Sequence, residues 1–166
     1  QLQAWHQEFR SMFWSHPEDY HVTLRFIHGV SRDHLQPLHQ GLRFKPFQLE
    51  LNGVHCFPPK RDRAVLWAGL GHVEPEHLDL QRRLEQQVQN AGYPAELHPY
   101  TPHLTLGRYG ALDTDAAARL IAELEDTHWD GADTSQYRLA DIASLKTKLD
   151  STKRNAVADA IRFDTL

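Results

Sequence analysis

Two segments of the sequence repeat one pattern: HVTLRFIHGV at residues 21–30 and HLTLGRYG at residues 103–110. Each begins with His-apolar-Thr-Leu and lies within an apolar run. Because successive side chains of a strand point to opposite faces, residues i and i+2 share one face. Each copy therefore predicts a strand that turns apolar side chains toward the core. On its other face the strand presents an imidazole beside a hydroxyl.

The side chains predicted on this second face are polar: His21, Thr23 and Arg25 in the first copy, and His103 and Thr105 in the second. Two such strands facing each other would surround a small space with two His and two Thr. A phosphate fits that space, because hydroxyls donate to its non-bridging oxygens and two imidazoles divide acid and base roles near neutral pH. No cysteine or activated serine accompanies the pattern, so a covalent intermediate is not indicated.

Composition limits the class of protein. The chain has 166 residues and a formal net charge of -4, which argues against non-specific coating of nucleic acid and leaves room for a local basic cleft. No apolar run approaches the roughly 20 residues that span a bilayer, and no signal peptide is predicted. The single cysteine, Cys56, excludes an intrachain disulfide and favours a reducing cytoplasm.

Periodicity predicts helices alternating with mostly short strands, which is an α+β or α/β arrangement. Strands are predicted at 20–27, 47–51, 64–70, 103–109, 137–149 and 156–163. Helices are predicted at 2–12, 31–42, 75–91 and 114–124, the third opened by Pro75, carrying Leu78 and stopped by Gly92. The segment HCFPPKRDR, residues 55–63, is predicted to be a basic loop, which either steers an RNA backbone or is simply solvated.

The paired HVTL and HLTL segments resemble the two HxTx motifs of the 2H phosphoesterase superfamily, most closely those of the bacterial and archaeal RNA 2',3'-cyclic phosphodiesterases, also called 2'-5' RNA ligases. The segments PHLTLGR and AVLWAGL are also similar to this family. The C-terminal segments SLKTKLD and VADAIRF are similar to it more loosely. The resemblance covers residues 1–166 and implies one α+β domain with a bilobal 2H phosphoesterase fold. Two pseudo-symmetric lobes, each with a small antiparallel sheet and helices outside, would enclose a central cleft with one motif in each lobe.

The resemblance also implies a reaction. The substrates would be RNA 3' ends or nucleotides that carry a 2',3'-cyclic phosphate, which the enzyme would hydrolyse to a 2'-phosphate without metal or cofactor. The enzyme would be a monomer, and no membrane would be involved. His21 would act as acid and His103 as base, while Thr23 and Thr105 would hydrogen-bond the equatorial oxygens of the phosphorus. An RNA 5'-hydroxyl in place of water would give ATP-independent 2'-5' ligation in the same site.

Two arginines are substrate-binding candidates. Arg108 matches the arginine that follows the family's second motif, which is expected near the phosphate or nucleotide. Strict alternation turns Arg108 away from His103, so a bulge or a strand end at Gly107 is required. Arg25 lies on the cleft face by alternation and is the second candidate.

Some features depart from the family or favour other readings. The apolar strand that usually precedes the family's first helix is absent from these residues, which leaves one sheet incomplete, and His28 replaces a frequent leucine. A metal enzyme is one alternative, although His34/His39 and His72/His77 are five apart and unsuited to one helix face. A non-catalytic RNA-end binding module and a 2H activity on another cyclic nucleotide or nucleotide-derived substrate are the others.

Overall fold

The computed structural model describes residues 5, 7–16, 19–28, 42–60, 62–133, 139–141 and 156–162. All but the last residue of the predicted helix at 31–42 lies outside these residues, as does most of the predicted strand at 137–149.

The described residues form eight strands that pair in antiparallel fashion. They are β1 (Phe13–Trp14), β2 (His21–His28), β3 (Gln48–Lys60), β4 (Arg63–Leu70), β5 (His103–Tyr109), β6 (His128–Asp133), β7 (Leu139–Asp141) and β8 (Ala156–Arg162). One group runs β6-β3-β4-β5, with β1 paired to the last residues of β5, and the other runs β2-β8-β7. The groups meet between β5 and β2 through one register pair, Val22 with Leu104.

Two helices pack against these strands. Helix α1 (Pro75–Asn90) contacts β2, and helix α2 (Thr114–Leu124) contacts β3. The bounds of α2 are those predicted. Helix α1 begins at Pro75, where the missing N–H costs no hydrogen bond, and Gly92 follows its end with φ 90°. Leu78 lies on this helix as predicted but is 42 % exposed, whereas Leu80 packs on the buried face.

The predicted α+β fold with antiparallel sheets is confirmed. The buried side chains come from one face of the central strands and from the inner faces of the helices. Leu24, Leu66, Leu84, Leu104 and Leu120 are among the largest of them. Helices on one face leave the opposite face of β2, β4 and β5, hereafter the open face, for polar and aromatic side chains. Within the described residues, neither helix is long and apolar enough to cross a membrane.

The prediction of a loop at 55–63 is wrong. Strand β3 continues to Lys60, and β4 already begins at Arg63. The two prolines fit at this end of β3 because its register with β4 is interrupted between Phe57 and Lys60 and its pairing with β6 ends at Asn52. No ladder hydrogen bond therefore needs the N–H that a proline lacks.

The predicted opening helix does not extend to residue 12. The backbone N–H groups of Arg10 and Ser11 donate to the buried carboxylate of Asp113, at 2.6 and 2.7 Å, and β1 follows at once. Burial by itself raises the pKa of Asp113, but the hydrogen bonds from Ser11 and Arg10 outweigh it and lower the pKa overall. This anchor holds β1 against the end of β5.

Candidate active site

The four predicted catalytic residues lie on the two strands where the strand groups meet: His21 and Thr23 on β2, and His103 and Thr105 on β5. The register pair Val22–Leu104 joins the middle residues of the two His-x-Thr triplets. Continued by one residue, this antiparallel register sets His21 beside Thr105 and Thr23 beside His103. Val22 and Leu104 are buried, and the four polar side chains stand half-buried on the open face. The triplets are thus related by a local twofold axis around one small space.

Both imidazoles are held in the same way. The Nδ1 atom of His21 lies 2.6 Å from the carbonyl oxygen of Asp19, and the Nδ1 atom of His103 lies 2.7 Å from that of Thr101. In each case the carbonyl belongs to the residue two positions earlier. A carbonyl oxygen only accepts, so Nδ1 carries a proton in both rings, and acid-base exchange falls to Nε2.

An aromatic wall made of His55, Phe57 and Trp67 stands beside His103 on the open face. The ring of His103 meets Phe57 edge to face at 4.9 Å and Trp67 at 5.6 Å, and Trp67 also lies 4.7 Å from His55. Burial lowers the pKa of His103, the hydrogen bond to Thr101 acts in the opposite direction, and the charge of Arg108 lowers the pKa further. The net effect favours the neutral imidazole, which is the form that accepts a proton.

A β-bulge brings Arg108 to the open face. On β4 the consecutive residues Leu66 and Trp67 pair with Gly107 and Thr105, so Leu106 is an extra residue in β5. The bulge that the expectation for Arg108 requires is therefore confirmed, one residue before Gly107. Arg108 is exposed, and its charge acts on the pKa of His103.

The prediction that Arg25 faces the cleft is wrong. Strand β2 also has a bulge, because Thr23 and Arg25 pair with the consecutive residues Ala160 and Asp159 of β8. Leu24 is the extra residue, and it turns Arg25 to the buried face, where only 7 % of the side chain is exposed. Phe26 takes the open-face position instead. The two motifs therefore bulge at the same leucine, and Phe26 corresponds to Arg108.

Arg25 instead ties β2 to helix α1 and to the segment that follows it. Its Nε atom lies 2.5 Å from a carboxylate oxygen of Glu85, and its guanidinium donates to Glu96 at 3.0 Å and to the carbonyl oxygen of Pro94 at 2.7 Å. The side chain of Glu85 is 17 % exposed, so this is a largely buried ion pair. Removing one partner of such a pair leaves the other charge buried without compensation.

We expect Arg25→Met to lower the free energy of unfolding by about 3 to 5 kcal/mol, the usual cost of breaking a buried ion pair. Denaturant unfolding followed by circular dichroism measures this change. The matched control is Arg82→Met, because Arg82 is 73 % exposed and pairs with Asp79 on the outer side of α1, so its loss should cost less than about 1 kcal/mol. Unchanged stability together with a raised KM would contradict this structural role and support a role of Arg25 in substrate binding.

Of the histidine pairs weighed as metal ligands, only His72 and His77 lie within the described residues, and their surroundings differ. His77 is buried on α1, stacks on Phe47 at 5.1 Å and has Nε2 2.8 Å from the hydroxyl of Tyr100, while His72 is exposed. Burial lowers the pKa of His77 to about 4. His34 and His39 lie outside the described residues. Among the residues with described positions, no group of three His, Cys, Asp or Glu side chains is placed to hold a metal ion.

The sequence reasoning missed the aromatic wall. Two features of the sequence could have revealed it: His55 and Phe57 alternate around Cys56, and Trp67 lies within a predicted buried strand. The prediction of a basic loop over residues 55–63 prevented this inference, because side chains alternate between two faces only in a strand.

Comparison with known proteins gives a consistent result. The sequence model described as "2'-5' RNA ligase superfamily" matches residues 1–141. The chain is 34 % identical over 127 residues to an RNA 2',3'-cyclic phosphodiesterase of Aeropyrum pernix, covering 74 % of this chain and 72 % of that protein. It is 30 % identical over 139 residues to a protein of the same name from Methanothermobacter thermautotrophicus, covering 80 % and 72 %.

A solved structure shows the same fold. It is E. coli LigT complexed with 3'-AMP, which matches with a TM-score of 0.53 and 23 % sequence identity over 64 % of this chain and 63 % of that one. The predicted family is confirmed by the match over residues 1–141 and by the two archaeal relatives. The chain belongs to the 2'-5' RNA ligase superfamily.

Proposed function

We propose that this chain is an RNA 2',3'-cyclic phosphodiesterase, which hydrolyses the cyclic phosphate at an RNA 3' end to a 2'-phosphate without a metal ion. The observation that carries the proposal is the twofold arrangement of the His-x-Thr triplets, with both Nδ1 atoms held by backbone carbonyls. The names of the two archaeal relatives support this choice of substrate.

The mechanism divides the two imidazoles between the two ends of an in-line displacement. Nε2 of His103 takes a proton from water as the water oxygen attacks phosphorus, and Nε2 of His21 protonates the ribose 3'-oxygen as its bond to phosphorus breaks. Thr23 and Thr105 donate to the non-bridging oxygens while negative charge builds there. The exposed Arg108 attracts the same charge from the edge of the site. The product keeps its phosphate on the 2'-oxygen.

An RNA 5'-hydroxyl in the place of water gives 2'-5' ligation by the same steps. The bond from phosphorus to the 5'-oxygen forms, the bond to the 3'-oxygen breaks, and no ATP is consumed. One chain supplies both triplets, so we propose that a monomer is sufficient. We propose a cytoplasmic site of action, which suits the one exposed thiol, Cys56.

The aromatic wall supports His103 as the base. A general base must be neutral before the reaction, and burial beside Phe57 and Trp67 lowers the pKa of His103. The acidic limb of the pH profile of kcat/KM, which reports the base of the free enzyme, should therefore lie below the usual range of histidine.

We expect Phe57→Ala to move this acidic limb to higher pH. The substitution admits water to the face of His103 that Phe57 covers, so the charged imidazolium is less disfavoured and its pKa rises toward the usual value. The measurement is kcat/KM from pH 4 to 9, and Phe44→Ala is a control because Phe44 packs away from His103 against Phe47. An unmoved acidic limb in Phe57→Ala, with the basic limb displaced instead, would make His103 the acid.

The test of the function uses RNA ending in 2',3'-cyclic phosphate and a panel of 2',3'-cyclic nucleotides, with the products identified by mass and NMR. We expect 2'-phosphate products and undiminished turnover in excess EDTA, because two imidazoles suffice for the proton transfers. Complete loss in EDTA, restored by one divalent ion, would overturn the metal-free mechanism. Binding without turnover would instead favour an RNA-end binding module, and turnover of a different cyclic substrate alone would favour another 2H activity.

A further inference from the structure

Phe13 is an unusual residue on the surface next to the site. It is 66 % exposed, whereas most large apolar side chains in the described part of the chain are buried. It pairs across the strands with Arg108, and directly paired residues present their side chains on the same face. Phe13 therefore stands on the open face, one strand away from the arginine beside His103.

Arg63 completes this group. Arg108 pairs with Val65 on β4, and Arg63 lies two residues from Val65 on the same face. Its guanidinium carbon lies 4.4 Å from the centre of the Phe13 ring, which is a cation–π contact. Among the residues that the structure describes, neither Arg63 nor Arg108 pairs with a carboxylate. Phe13, Arg63 and Arg108 thus form a strip with two uncompensated positive charges and an exposed aromatic ring.

The strip is built on a fixed piece of backbone. Strand β1 is anchored by the bonds from Arg10 and Ser11 to Asp113, and it lies against β5 only because residue 107 is glycine. A Cβ atom at Gly107 would lie 2.6 Å from the carbonyl oxygen of Phe13 and 3.1 Å from the Cα of Trp14. The exposure of Phe13 therefore belongs to a strand held in place, not to a loose terminus.

The position of the strip suits the next nucleotide of a single-stranded substrate. Arg108 is three residues beyond Thr105 along β5, which is about 7 to 10 Å at a rise of roughly 3.3 Å per residue. That span is of the order of one nucleotide. Proteins that bind single-stranded nucleic acid combine positive charge for phosphates with aromatic rings for bases, and the strip offers both.

We propose that Phe13 and Arg63 form a subsite for the nucleotide on the 5' side of the one that carries the cyclic phosphate. Phe13 stacks on the base of that nucleotide, and Arg63 braces the ring and pairs with the adjoining phosphodiester. This inference rests on the proposed function, and it adds a preference for RNA strands over mononucleotides.

The experiment compares a short RNA ending in 2',3'-cyclic phosphate with the matching mononucleotide. We expect Phe13→Leu and Phe13→Ala to lower the ratio of the two kcat/KM values by about 5- to 100-fold, the range for removing one stacking ring. Arg63→Met should lower the ratio and reduce the salt dependence of RNA binding by about one phosphate contact. Leu78→Ala and Arg82→Met, on the outer side of α1, should leave the ratio unchanged.

A second measurement separates this subsite from the catalytic proposal. Binding of a fluorescent RNA that ends in a 2'-phosphate is followed by anisotropy, and it needs no turnover. Weaker binding by Phe13→Leu supports the subsite even if the chain hydrolyses neither substrate, in which case only the proposed function falls. An unchanged ratio and unchanged binding would overturn the subsite. So would equal losses on RNA and on mononucleotide, since Phe13 would then act only through Arg108.

Discussion

Replacing His21 or His103 by alanine is expected to lower kcat/KM at least about 100-fold, the lower end of what general acid or base catalysis contributes. In the proposed mechanism the two imidazoles act on opposite ends of one displacement, so neither could replace the other. The rate of the unaltered protein should be bell-shaped in pH, because it needs one neutral and one protonated imidazole. Steady-state kinetics on a 2',3'-cyclic nucleotide measures both expectations.

The double variant is expected to be little worse than the poorer single variant, because groups that act as a unit are strongly non-additive. Both single variants should stay folded, since the packing at this point comes from Val22 and Leu104 rather than from the imidazoles. His72→Ala is the control, because His72 is exposed and lies beyond the end of β4, outside both motifs. Near-normal activity in either single variant would remove the repeated motif from acid-base catalysis.

Replacing Thr23 or Thr105 by valine is expected to slow turnover by about 10- to 1000-fold, the scale of losing one donor to a developing oxyanion. Valine is nearly isosteric with threonine, so shape is retained and only the hydroxyl is lost. Because the register sets each threonine beside the histidine of the other triplet, the two substitutions should have effects of similar size. The loss should appear mainly in kcat, since the charge on the oxygens grows toward the transition state.

Thr114→Val is the matched control for these variants. Thr114 is exposed at the start of α2, and its hydroxyl donates to the carbonyl oxygen of Ala111, so turnover should be unaffected. Thermal unfolding of Thr23→Val and Thr105→Val should resemble that of the unaltered chain. A collapsed fold would mark the threonines as structural, and unchanged turnover would exclude them from the mechanism.

Much of the site could be predicted from the sequence because its determinants are local. Alternation with a period of two puts His21 and Thr23 on one face of a strand and Val22 on the other, whatever the strand pairs with. The same holds for β5, whose predicted bounds are those observed, and α2 follows its helical period without revision. The polar and apolar faces of both motifs are therefore properties of the residues themselves.

The two arginines show what only the tertiary structure decided. Alternation predicted Arg25 in the cleft and Arg108 turned away, and bulges at Leu24 and Leu106 reverse both positions. A bulge is set by the hydrogen bonds that two strands distant in sequence exchange, so the period of one strand cannot reveal it. The strand that carries Pro58 and Pro59 is a similar case, because a proline is tolerated where no partner needs its missing N–H. The residues determined which polar side chains the two motifs present on one face, and the pairing of distant strands determined which neighbouring side chains share that face.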